Sequence, residues 1–195
     1  MRFAVLTGGS FAGRMISREL SELAGSEQVS IFDAAVDLSA IAARLGENAD
    51  VRVVGSSRAA IEGATSVVSC ASNVEEAIGH ATEAIDAGVP LVWVGRDLEV
   101  FESLQQLDSQ ARSDGVTIVP GGGWSPGLTN LMAVAASQTM ESISGVRIAW
   151  AVSATGSAGE EAVGTLVGSL SRPAPVFEAG SWHRTQPGGE PEDVY

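Results

Sequence analysis

The sequence contains no lysine: all 11 basic residues among its 195 are arginines. Schiff-base chemistry, a lysine general base and a Walker-type phosphate lysine each need an amine that is missing here, and so does the Tyr-x-x-x-Lys pair of a short-chain reductase. Those enzyme classes are excluded. Cysteine and histidine are nearly as scarce. Cys70 stands alone, so no internal disulfide can form, and with only His80 and His183 beside it the ligands of a structural zinc site are absent and no metal is expected. Positive charge is in deficit too: 24 acidic residues leave a formal net charge of −13, a surface that repels nucleic acid and anionic membranes. Any bound anion must therefore be held by aimed backbone donors or by one or two arginines. No apolar run approaches the roughly 20 residues of a membrane span. The N-terminal stretch from Met1 to Gly9 reads as a strand running into a glycine turn, without the basic head and cleavage site of a signal peptide, so the cytoplasm is the expected compartment.

What is present is a hydrophobic share of 45%, enough for one well-buried core and part of a second lobe. Period and punctuation give strand, glycine-containing turn and helix in repeated alternation to about residue 140. Arg2 to Thr7 reads as a strand, and Phe11 to Leu23 as a helix with Phe11, Ile16, Leu20 and Leu23 on its apolar face. Gln28 to Phe32 follows as a strand, Asp37 to Leu45 as a short helix, and Val51 to Val54 as a third strand whose valines are expected to be buried. Ser66 to Cys70 is a fourth strand. Asn73 and Glu76 then form a capping box for an amphipathic helix carrying Val74, Ala77, Ile78, Ala81, Ala84 and Ile85. Leu91 to Val94, a helix over Leu98 to Arg112, and Val116 to Val119 continue the pattern. Gly121-Gly122-Gly123 reads as a flexible turn into a helix capped by Ser125, with Pro126 in its first turn.

Strands separated by helices of this length require right-handed crossovers in a parallel sheet. The expected fold is a doubly wound α/β Rossmann domain over residues 1–140. Residues 141–195 are expected to begin a second, smaller or truncated α+β lobe, with a strand over Val146 to Val152 and a helix over Ala162 to Leu170. Asp193-Val194-Tyr195 resembles the beginning of a strand, which suggests an incomplete substrate or dimerisation domain; its edge invites pairing and leaves a homodimer open as the assembly.

The most informative segment is Thr7-Gly8-Gly9-Ser10-Phe11-Ala12-Gly13. It sits between the first strand and the first helix, where a dinucleotide's diphosphate meets backbone N–H groups and the positive helix end. Against GxGxxG, Gly8 and Gly13 match and Ser10 replaces the middle glycine, its hydroxyl being a candidate phosphate donor. Asp33 ends the second strand, 20 residues after Gly13, where a carboxylate accepts ribose hydroxyls and repels a 2′-phosphate. No arginine follows it directly. The expected cofactor is a nicotinamide dinucleotide, NAD in preference to NADP, held by Gly8, Gly9, Ser10, Phe11, Ala12, Gly13 and Asp33, with Ala71, Ser72 and Asn73 lining it after the fourth strand.

The stretch Pro120-Gly121-Gly122-Gly123-Trp124-Ser125-Pro126-Gly127-Leu128-Thr129-Asn130-Leu131-Met132-Ala133 resembles the saccharopine dehydrogenase family, of the saccharopine reductase and carboxynorspermidine dehydrogenase type. The strand with Cys70, the helix ending Ala87-Gly88-Val89-Pro90, and Ala111 to Val119 also look familial, so the likeness runs over about residues 1–170. It implies an NAD(P)-dependent oxidoreductase that transfers hydride at a carbon–nitrogen bond of a small amino-acid-derived substrate. Two departures stand against it: Gly95-Arg96-Asp97 where many members carry an aspartate or serine, and the short second domain.

Hydride transfer needs the nicotinamide at the carboxyl ends of the strands, so the turns after strands four and six are the expected walls of the reactive site. Gly123, Trp124, Ser125, Pro126 and Gly127 are the candidate substrate residues, with free N–H groups expected at a helix start on Ser125. Arg96 is a candidate carboxylate clamp, an ion pair with Asp97 being the alternative. Cys70 reads as inert packing and His80 as a solvated mid-helix residue, and no proton-transfer residue is assigned. Thr155 to Glu160 reads as a flexible glycine-rich loop. The competing function is a non-catalytic NAD-binding sensor or assembly module.

Overall fold

A computed structural model describes residues 1–45, 49–146, 148, 173–178 and 180–186. The chain divides into two compact units, Met1–Val146 and Arg147–Tyr195. In the first, six strands form one parallel sheet: β1 (Arg2–Leu6), β2 (Gln28–Phe32), β3 (Asp50–Val53), β4 (Ser66–Ser69), β5 (Leu91–Trp93) and β6 (Ile118–Pro120). Their order is β3-β2-β1-β4-β5-β6, the doubly wound Rossmann arrangement, whose order reverses between β1 and β4. The helices are α1 (Phe11–Glu22), α2 (Ser39–Ala42), α3 (Ser57–Ile61), α4 (Val74–Asp86), α5 (Leu98–Gln105), α6 (Asp108–Ser113) and α7 (Leu128–Ser137).

Alternation along β1 builds a core on each face of the sheet. Ala4 and Leu6 join Val67, Leu91 and Trp93 beneath α3, α4 and α5, whose contributions include Ile61, Ala81 and Val100. Val5 points the other way, to Val29, Ile31 and Leu38, with Ile16 and Leu20 of α1 against them. α1 and α4 thus cover opposite faces and leave a crevice over the carboxyl ends of β1 and β4.

Several local expectations change. α1 buries Gly13, Ser17 and Ser21, while Phe11 and Leu23 are exposed. The small residues let the helix lie close against the sheet, so the larger apolar side chains move to its flanks. β3 is an edge strand, which leaves Val53 exposed and Val51 and Val54 half-buried where burial was expected. The helix α3, capped by Ser56 accepting from the Ala59 amide at 3.1 Å, has no counterpart in the sequence reading. The single helix expected over Leu98 to Arg112 is two, broken at Gln106 and Leu107. Helix α7 begins at Leu128, capped by Gly127, and not at Ser125.

In the second unit the described elements are β7 (Ala174–Glu178) and β8 (Ser181–Thr185), an antiparallel hairpin. The sequence reading had no strand pair there. The strand expected at Val146 to Val152 and the helix expected at Ala162 to Leu170 lie largely or wholly outside the described residues, as do Thr155 to Glu160 and the edge near Val194. No helix among the described residues is long and apolar enough to cross a membrane.

Candidate dinucleotide site at the carboxyl rim of the sheet

The turn from β1 into α1 is built by close approach. A Cβ at Gly13 would lie 2.5 Å from the Thr7 carbonyl oxygen and 2.7 Å from Gly8 Cα, both backbone atoms. One at Gly8 would lie 2.2 Å from Ile31 Cγ2, and one at Gly9 would meet Val36 Cβ at 2.7 Å. Three glycines here are therefore a steric requirement, and they bring the helix end down onto the sheet.

Most donors of this turn have partners. Gly8 N–H donates to the Phe32 carbonyl (2.9 Å), Gly9 N–H to Asp33 Oδ2 (2.9 Å), Gly13 N–H to Ser10 Oγ (3.0 Å) and Arg14 N–H to the Ser10 carbonyl (3.0 Å). The amides of Phe11 and Ala12, the first two of α1, have no acceptor among the described residues. They are the two donors at the positive end of the helix that remain for an anion. The Ser10 hydroxyl is committed otherwise than the sequence suggested. Its single proton goes to the Thr7 carbonyl at 2.9 Å, because Ser10 is the N-cap of α1, so it is not a phosphate donor in this arrangement.

Asp33 lies at the end of β2 and is partly spent on the backbone. Its Oδ1 accepts the Ala35 and Val36 amides at 2.8 and 3.0 Å, closing an Asx turn, and its Oδ2 accepts Gly9 N–H. A carboxylate takes about four donors. One acceptor position remains, on Oδ2, facing the glycine turn.

After β4, Cys70 and Ala71 are buried and Ser72 and Asn73 exposed. Asn73 caps α4, its Oδ1 accepting the Glu76 amide at 2.9 Å. The Glu76 side chain does not complete the capping box; it accepts from the Thr7 hydroxyl at 2.9 Å and from Asn73 Nδ2 at 3.4 Å. Trp93, fully buried at the end of β5, donates its indole N–H to the Ala71 carbonyl at 2.9 Å. The Trp93 carbonyl in turn accepts the Gly121 and Gly122 amides at 3.0 and 2.8 Å. Hydrogen bonds thus tie neighbouring turns together along the carboxyl rim. Sequence reasoning missed Thr7, Glu76 and Trp93 in this role; the only signals were Thr7 abutting Gly8 and a glutamate at the third position of α4.

His80 is 5% exposed rather than solvated, with Nδ1 2.9 Å from Ser69 Oγ. Burial lowers its pKa below the ordinary 6.5, against the opposing pull of Glu76, Glu83 and Asp33. Neutral and enclosed, it braces α4 against β4.

The loop after β6 is closed by its own bonds. Gly123 N–H donates to the Pro126 carbonyl at 3.1 Å, across a cis Ser125–Pro126 peptide. Gly127 has φ 135°, and a Cβ there would lie 2.1 Å from the Gly123 carbonyl oxygen, so only glycine fits. The start of α7 offers few free donors. Leu128 and Thr129 N–H are taken by the Gly123 and Trp124 carbonyls at 3.0 Å each, and Gly127 N–H by Asn130 Oδ1 at 3.0 Å. The amides of Trp124 and Ser125 have no acceptor among the described residues, so the expected free N–H groups lie in the loop before α7 and not at its start. Trp124 is 61% exposed above the loop. Arg96 is exposed after β5 and makes no ion pair among the described residues, while Asp97 caps α5, its Oδ1 accepting the Glu99 and Val100 amides. The fold thus brings Gly8 to Gly13, Asp33, Ala71 to Asn73, Arg96 and Gly123 to Gly127 to one rim.

No protein-family model matches this chain, and no curated protein matches it. Solved structures do. GenD2 from gentamicin A biosynthesis, in complex with NAD, is 22% identical with a TM-score of 0.50, over 63% of this chain and 34% of its own. The 3-hydroxyisobutyrate dehydrogenase of Mycobacterium tuberculosis is 23% identical with a TM-score of 0.49, over 61% of this chain and 39% of its own. UDP-N-acetylglucosamine 3-dehydrogenase GnnA from Acidithiobacillus ferrooxidans is 19% identical with a TM-score of 0.47, over 62% and 37%. The chain spans less than two fifths of the length of these proteins. At 22% identity the likeness to GenD2 is one of fold alone, in keeping with the α/β Rossmann arrangement of the sheet.

Proposed function

We propose that this chain is the dinucleotide-binding part of an NAD(P)-dependent oxidoreductase, using NAD in preference to NADP. The observation that carries the reading is the pair of unpartnered amides, Phe11 and Ala12, at the start of α1 over the β1–β4 crevice. They would hold the diphosphate, with Gly8, Gly9 and Gly13 admitting it close to the backbone and the helix dipole adding to the attraction. This suits a chain of net charge −13, which can retain an anion only through aimed donors. The remaining Oδ2 position of Asp33 would accept one adenosine ribose hydroxyl, and its charge would oppose a 2′-phosphate.

When bound, the nicotinamide supplies or removes a hydride. The Ala71-Ser72-Asn73 turn, held by Trp93, would wall its ribose, and Trp124 and Arg96 stand where a substrate would lie. Arg96, free of Asp97, is suited to a substrate carboxylate. Together with the Pro120 to Ala133 stretch, this supports a substrate derived from an amino acid and chemistry at a carbon–nitrogen bond, of the saccharopine dehydrogenase type. We assign no proton-transfer residue. His80 is enclosed behind the Ser69 hydroxyl and serves the fold.

Titration with NADH and NADPH, followed by fluorescence and calorimetry, tests the binding reading; no heat with either at millimolar concentration would refute it. Amino-acid-dependent NADH formation tests the enzymatic one. Binding without turnover across amino and imino acids would favour the sensor or assembly module instead.

A further inference from the structure

Thr7 has φ 56°, in the left-handed region that a β-branched residue rarely occupies. Two sets of bonds hold it there. Its carbonyl accepts the Ser10 amide at 3.3 Å and the Ser10 hydroxyl at 2.9 Å, and its own hydroxyl donates to Glu76 Oε1 at 2.9 Å. Glu76 is the third residue of α4, where a glutamate ordinarily reaches back to the backbone N–H of the cap. Here the half-buried carboxylate turns instead to a residue 69 positions away, while Asn73 Nδ2 steadies its second oxygen at 3.4 Å. The bond joins elements attached to opposite faces of the sheet, across the crevice between β1 and β4.

We propose that Glu76 is a positioning residue for the cofactor turn: through the Thr7 hydroxyl it keeps Thr7 left-handed, and so aims the Phe11 and Ala12 amides at the diphosphate. The proposal rests on the dinucleotide reading given above. The conformation of Thr7 sets the direction of the peptides that follow, and a left-handed residue in a turn is one arrangement that makes successive amides converge on an anion. The bond to Glu76 is the one hydrogen bond of the Thr7 hydroxyl among the described residues. A threonine whose hydroxyl lost its acceptor would relax towards ordinary backbone angles and take the turn with it.

The test uses Thr7→Val, Thr7→Ser, Glu76→Ala, Glu76→Gln and the Thr7→Val/Glu76→Ala pair, with NADH affinity measured by calorimetry and hydrogen exchange followed at the amides of residues 10–13. Loss of a charge-assisted hydrogen bond is expected to weaken NADH about tenfold in Thr7→Val and in Glu76→Ala. The double variant should be no worse than the weaker single one, because both remove the same bond. Thr7→Ser and Glu76→Gln, which keep a donor and an acceptor, should recover to within about threefold of the parent. Exchange at Ser10 and Gly13, whose amides are bonded to the Thr7 carbonyl and the Ser10 hydroxyl, should quicken in the two disabled variants and not in the two conservative ones. Additive effects in the pair, or unchanged affinity with a lowered melting temperature, would make the bond a matter of stability alone and overturn the proposal. If the parent chain binds no NADH, the dinucleotide reading fails and the exchange data decide the clamp separately: unaltered exchange in Thr7→Val and Glu76→Ala refutes it.

Discussion

Replacing Asp33 by asparagine alters one atom and tests both the stability and the cofactor choice ascribed to this site. In the parent, Oδ2 accepts the Gly9 amide and Oδ1 those of Ala35 and Val36. Asparagine keeps only one acceptor oxygen. If that oxygen serves the Ala35–Val36 turn, its NH2 group faces the Gly9 N–H; if it serves Gly9, the turn opens. A hydrogen bond to a charged group is worth about 1.5–3 kcal/mol, and the half-buried setting argues for the lower part, about 2 kcal/mol. For a unit of this size that corresponds to a fall in melting temperature of about 4–8 °C, measurable by scanning calorimetry. The same change removes a charge from beside the position proposed for the ribose. At an effective dielectric of about 20, a unit charge about 4 Å away costs about 4 kcal/mol, so relieving even part of it should raise NADPH affinity relative to NADH by at least about tenfold. Parallel NADH and NADPH titrations read this ratio. An Asp33→Asn protein that melts within about 1 °C of the parent would refute the hydrogen-bond reasoning. An unchanged NADPH-to-NADH ratio would refute the electrostatic one.

Three further outcomes follow from the same geometry. Burial holds His80 below its ordinary pKa of 6.5, so on acidification the unfolded chain takes up the proton first; stability is full above about pH 6.5 and declines below it. Urea midpoints measured between pH 7.5 and 5.5 should show that decline, and His80→Gln should flatten it; an equal decline in the variant would assign it to other groups. Gly13→Ala forces a methyl against two backbone atoms, a strain of about 1–3 kcal/mol, and should weaken NADH more than tenfold by lifting α1 from the turn. Calorimetric titration finding parental affinity would disprove the close-approach argument. Trp93→Phe strips the Ala71 carbonyl of its indole donor, at a cost of about 1–3 kcal/mol in chemical denaturation, and should speed amide exchange in the Ala71 to Asn73 turn. Unchanged exchange there would show that the indole bond does not hold the turn.

The layered α/β architecture was written in the alternation of periods, because strands and helices of these lengths can close only by parallel crossovers. The same holds for the glycine turn, Asp33 at the end of β2, and the Asn73 cap, since each is a short-range requirement on backbone angles or donors. Helix α3 escaped notice because five residues between two strands carry too little periodicity to stand out. The start of α7 was misplaced because proline and serine mimic a cap, whereas the decisive atoms are the Gly123 and Trp124 carbonyls folding back from the loop. Burial of His80 and exposure of Val53 depend on which strand lies beside which, and on which strand ends the sheet.

Local chemistry thus determined which residues could turn, cap or approach an anion closely. Which of those capacities are already used was decided only in three dimensions. Ser10 surrenders its proton to Thr7, Asp33 gives three of its acceptor positions to the backbone, and Glu76 crosses the crevice to Thr7. Hydrogen bonds saturate, and the partner that saturates each group is set by contacts far apart in the chain.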